Sequence, residues 1–108
     1  MKQHQYQVTL KHLADAKGQP SIYSEDLVFQ ANNHDDIFAI VQHMQKAKLF
    51  DDETTMALVV GMKLFGEVML ENREHPLFNE FFPEFVKLIK KLKNSSQVQI
   101  REHSGENE

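Results

Sequence analysis

The sequence predicts an α+β fold: a β-hairpin followed by three helices (ββααα), packed on one face of a small antiparallel sheet. Three observations carry this. Residues 3–12 alternate, with Tyr6, Val8 and Leu10 on one face and Gln5, Gln7, Thr9 and Lys11 on the other, a period of two that reads as a strand with one wet face. Residues 23–31 repeat the pattern, with Tyr23, Leu27, Phe29 and Ala31 sharing a face and Glu25 as the exception. From Ile37 onward the apolar residues recur at helical spacing. Helices that follow a hairpin must lay their apolar sides on something, and a small sheet is the available surface.

Each element has its own physical reason. Between the strands, residues 14–22 hold Asp15, Gly18, Pro20 and Ser21, a loop composition that predicts a long, mobile connection. The run Ala31-Asn32-Asn33-His34-Asp35-Asp36-Ile37-Phe38 marks the change from strand to helix. Asn33 reads as an N-cap, with Asp36 three residues on in the manner of a capping box. Ile37, Ile40, Val41, Met44 and Ala47 then form a stripe, and the first helix is expected to end near Lys48. Asp51-Asp52-Glu53-Thr54 opens a second helix, since acidic side chains accept from the free N–H groups of a first turn. Residues 55–72 could alternate as a strand, but their length and their Met, Leu, Lys and Glu content favour a helix with Leu58, Met62, Phe65 and Met69 on one face. Gly61 and Gly66 oppose it locally, and they suit close packing of another element.

His75-Pro76 breaks that helix, and Pro76 fits the first position of a short helical turn. Pro83 either kinks the third helix or starts its second part at Glu84. Phe85, Leu88, Ile89 and Leu92 continue the stripe and Lys87, Lys90, Lys91 and Lys93 close it. The expected domain is residues 1–94, with a polar, flexible tail over 95–108. Val98 and Ile100 alternate with Gln97, Gln99 and Arg101, which leaves an edge strand over 96–101 open.

Composition narrows the function classes. The chain has 108 residues, 41% of them hydrophobic, and no cysteine. That is enough for a single core without staples, and it removes disulfides, thiolate metal sites and cysteine nucleophiles. Met1-Lys2-Gln3-His4-Gln5 leads into no apolar signal segment, and no stretch reaches the ~20 apolar residues of a membrane span, so the expected location is the cytoplasm. A net charge of −4 argues against nucleic acid as a partner. The acids at helix starts and the four late lysines follow the helix dipole.

Candidate chemistry is sparse. His34, Asp35 and Asp36 are metal-binding residue types and resemble the paired His-Asp ligands of some phosphohydrolases, but a site needs three or four converging ligands. His43 lies two and a half helical turns away, and no two histidines stand at i, i+4 on a predicted helix. Asp51-Asp52-Glu53 reads as a solvated helix start. There is no nucleophile elbow and no glycine-rich phosphate loop. No cofactor is implied. Phe78, Phe81, Phe82 and Phe85 are more aromatics than one narrow stripe can hide, so part of this surface is a candidate interaction site.

Asn33-His34-Asp35-Asp36-Ile37, with Gly61-Met62-Lys63-Leu64-Phe65-Gly66-Glu67-Val68-Met69-Leu70 and His75-Pro76-Leu77-Phe78, resembles a small bacterial family of unknown function with a His-Asp-Asp motif. The resemblance covers residues 3 to 93. It implies a bacterial origin and a stand-alone domain, and it carries over no catalytic residue. The reading that follows is a non-enzymatic cytosolic module that binds another protein or itself. The alternative is a small metal-binding protein or metal-dependent hydrolase built on His34, Asp35 and Asp36.

Overall fold

The computed structural model describes the backbone of residues 2–103 and the side chains of residues 2–96. The chain divides between Asp35 and Asp36 into two compact units. The first is the hairpin, with β1 (His4–Leu10) antiparallel to β2 (Leu27–Asn33). The register sets Tyr6 opposite Ala31, Val8 opposite Phe29 and Leu10 opposite Leu27. Directly opposed residues share a face, so these six form the apolar side predicted from the alternation. Gln5–Asn32, Gln7–Gln30 and Thr9–Val28 form the other.

The second strand begins later than expected, because residues 11–26 fold a connection of their own. Ala14 bridges Pro20, and Ser21 N–H donates to the Leu13 carbonyl at 3.1 Å. The Asp15 carboxylate accepts from the N–H groups of Lys17 and Gln19, each at 2.9 Å. Gly18 completes the turn at φ +86, a left-handed conformation that glycine adopts without a Cβ clash. The connection is longer than the expected 14–22, and residues 13–21 within it are internally hydrogen-bonded. Residues 23–26 stand outside both strands.

The second unit is helical: α1 (Ile37–Ala47), α2 (Asp52–Glu71), α3 (Pro76–Asn79) and α4 (Phe82–His103). The three-helix expectation becomes four because the chain breaks at Glu80 and Phe81. Pro83 falls in the first turn of α4, where a missing N–H costs nothing, so it opens a helix rather than kinking one. The α4 helix runs through residues 96–101, and the edge strand left open there is not formed. Residues 104–108 lie outside the described residues.

The N-cap of α1 also moves. It is Asp36, whose carboxylate accepts from Ala39 N–H at 3.1 Å. Asn33 is instead the last residue of β2, opposite His4, and its Oδ1 accepts from Asp35 N–H at 2.9 Å. That turn ends a strand rather than starting a helix. Asp51 caps α2 as expected, accepting from Thr54 N–H at 2.7 Å.

Helix α1 packs on α2 and α4. Of its predicted stripe, Ile37, Val41, Met44 and Ala47 are buried and Ile40 is half-buried. On α2 the buried residues are Thr55, Val59 and Met69. Of the expected face Met69 is buried, Leu58 and Met62 are half-buried and Phe65 is 43% exposed, so the packed face is rotated toward Thr55 and Val59. Phe85 from α4 completes the apolar core, and Ser96 is buried with its hydroxyl donating to the Lys93 carbonyl at 2.9 Å.

Candidate functional site

Three phenylalanines of the second unit converge on the ring of a fourth. Phe65 of α2 meets Phe78 of α3 edge-on at 6.0 Å, Phe81 of the connecting turn at 6.1 Å and Phe85 of α4 edge-on at 5.7 Å between centroids. These are the offsets that aromatic quadrupoles favour. Phe82 lies outside this group and carries the Arg73 guanidinium 4.9 Å above its ring. Of the four phenylalanines predicted as an interaction surface, Phe85 is buried, Phe78 and Phe82 are half-buried, and Phe81 is exposed. Exposed Leu77 and Phe65 extend that surface. The sequence pattern gave no sign of Phe65 or Arg73 as members. Periodicity placed Phe65 on the α2 core face, and a lone arginine in a turn carries no motif.

The hairpin also presents exposed apolar side chains. Leu10 is 62% exposed, Leu27 67% and Phe29 50%, all on the one apolar face. In the adjoining connection Leu13, Ile22 and Tyr23 are exposed as well. Tyr6 is anchored by its phenol, which donates to the Asp35 carbonyl at 2.8 Å. His12 rests edge-on against Tyr23, with 5.1 Å between centroids, and its Nδ1 lies 2.6 Å from Ser21 Oγ.

His34 Nε2 stands 3.6 Å from an Asp35 carboxylate oxygen, and Asp36 caps α1. Among the described residues no group of three or more His, Asp or Glu is placed to hold a metal ion. The Asp51 carboxyl is held below its ordinary value by the Thr54 backbone N–H and then by the Thr54 side chain. His75 caps α3, its Nδ1 accepting from Leu77 N–H at 3.1 Å. Glu71, Arg73, Glu74, His75 and Asn79 line a shallow, open depression. Among the described residues no helix is long and apolar enough to cross a membrane.

A family model for a domain of unknown function with a solved structure, DUF3861, matches residues 4–94. The chain belongs to the DUF3861 family. The match runs from the first residue of β1 into α4 and corresponds to the resemblance expected over residues 3–93. Among solved structures, this DUF3861 chain is similar to a protein of unknown function from Pectobacterium atrosepticum, determined at 2.20 Å. The two share 34% identity and a TM-score of 0.75, over 86% of this chain and 99% of the other. Comparison with curated proteins gives no match.

Proposed function

We propose that this DUF3861 chain is a non-enzymatic protein-interaction module of the cytoplasm, which binds another protein or a second copy of itself through the apolar face of its hairpin. The observation that carries the reading is the exposure of Leu10, Leu27 and Phe29 side by side on one face. Contiguous apolar surface of this kind is uncommon on a protein that meets only water, and it marks interaction sites. Phe81 and Leu77 on the helical unit are exposed as well. Asp15, Asp36, Asp51 and His75 are engaged with backbone N–H groups as turn-formers and caps.

The test is photocrosslinking in living cells from a photoreactive phenylalanine analogue at position 29. The expected result is one dominant adduct, with another protein or with the chain itself. It should disappear when Leu27→Ser is added to a chain that still melts as the parent does. Absence of any adduct from the parent chain would overturn the reading.

A further inference from the structure

The hairpin has an unusual pair of edges. Among the described residues the sheet contains two strands, so β1 and β2 each leave one edge without a strand partner there. Sheet proteins ordinarily block such edges with lysine, other charges, proline or a bulge. Here His4–Leu10 and Leu27–Asn33 contain no Asp, Glu, Lys, Arg or Pro, and their seven-on-seven register has no bulge. A two-stranded sheet is also marginal by itself, and three or more strands are needed for independent stability.

Resting on the interaction reading above, we propose that the occupant is a second copy of this chain, paired antiparallel along the outer edge of β1 with Gln7 on the two-fold axis. The strand is complementary to itself in that register. Tyr6 falls opposite Val8 of the second copy, an aromatic against a β-branched residue, which is a favourable cross-strand pair. Gln5 falls opposite Thr9 and Gln7 opposite Gln7, so polar meets polar, and His4 against Leu10 is the one mixed pair within the strand. At the ends Lys11 meets Gln3, and no like charges oppose one another between residues 3 and 11. Even-numbered residues stay with even-numbered ones, so the two apolar faces join into one face of a four-stranded sheet. The edge of β2 fits itself less well. Symmetric pairing about Gln30 sets Phe29 against Ala31, but it also sets Leu27 against Asn33 and Val28 against Asn32, two apolar-against-amide pairs where β1 has one mixed pair. A two-fold contact of this type is self-limiting, because both free β1 edges are consumed in forming it.

Sedimentation and light scattering of the full chain up to millimolar concentration test the proposal. The parent chain is expected to reach the mass of two chains. Gln7→Glu and Gln7→Lys, each setting like charges face to face on the axis, should stay at one chain separately and regain the two-chain mass when mixed. Because the chain has no native cysteine, oxidation of Gln7→Cys gives an independent reading: it should crosslink to a covalent dimer, and Gln30→Cys, opposite Gln7 within the hairpin, should not. A one-chain mass for the parent, a Gln7→Glu chain that still dimerises, a mixture that stays single, or equal crosslinking at 7 and 30 would each overturn self-pairing through β1. An adduct from position 29 to a different protein, together with a one-chain mass, would remove self-pairing and leave the interaction reading standing.

Discussion

The edge of the Phe85 ring lies against the α2 backbone at Gly66. A Cβ at that glycine would meet Phe85 Cε2 at 3.2 Å and Cζ at 3.3 Å. Five residues earlier on the same helix, a Cβ at Gly61 would meet nothing within 4 Å. Two glycines that look alike in the sequence therefore have different reasons to be there. Gly66 is where a buried ring from α4 approaches the helix, whereas Gly61 has no such neighbour.

Gly61→Ala is expected to stabilise the protein by about 1 kcal/mol, the helix-propensity difference between the two residues. Gly66→Ala should gain clearly less, because the propensity gain is offset by displacing a ring held between Phe65 and Phe81. Gly66→Val should fall below the parent. Urea denaturation of the three variants measures the order.

Lys48 ends α1 at φ 59, in the left-handed region. A side chain there costs roughly 1–2 kcal/mol, which glycine avoids at the expense of some unfolded-state entropy. Lys48→Gly is expected to raise stability by about 0.5–1 kcal/mol, readable as an upward shift of the denaturation midpoint at constant slope.

Asp36→Ala should cost about 1 kcal/mol through loss of the α1 cap, and Asp36→Asn much less, since asparagine caps nearly as well. If Asp36→Ala melted with the parent, the bond to Ala39 N–H would have no energetic role.

The pH dependence follows from Asp51. Its carboxyl titrates below the ordinary value because the ionised form accepts the Thr54 N–H. A lowered folded-state value means that the unfolded chain takes up the proton first. The stabilisation is complete above the ordinary aspartate value of about 3.9 and is lost as pH falls through the folded-state value. The stability difference between the parent and Asp51→Asn should be flat near neutrality and shrink on acidification through that window.

Met69 is fully buried on α2 while neighbouring Val68 is 48% exposed. Met69→Ala should cost about 2–5 kcal/mol, in the range of buried methionine truncations, and Val68→Ala less than about 0.5 kcal/mol. Thermal melts of the pair would establish which face of α2 is packed.

That face shows where sequence reading stops. The α1 stripe is legible because, after the apolar run of residues 37–41, Gln42, His43, Gln45 and Lys46 leave Met44 and Ala47 to mark one helical face. Between Met56 and Leu70 nearly every residue is apolar, several faces score alike, and tertiary contacts decide. Gly66, which has no side chain to register in a hydrophobic pattern, lies under Phe85 on the face that wins. The cap of α1 was misplaced for a related reason. Asn33, Asp35 and Asp36 are all capping residue types, and only the pairing of Asn33 with His4 assigns it to the strand. Over 96–101 the alternation of Val98 and Ile100 imitates a strand, but a helix already propagating from Phe82 extends at one hydrogen bond per residue. For the candidate site, the phenylalanine cluster was visible as composition. Its organisation about Phe65 was not, because the partners lie more than ten residues away in sequence.

The convergence of α3, the connecting turn and α4 on the ring of Phe65 makes that side chain a natural spectroscopic reporter. A fluorinated phenylalanine at position 65 would feel the ring currents of three neighbours at once. Its resonance would register the docking of all three segments from a single label.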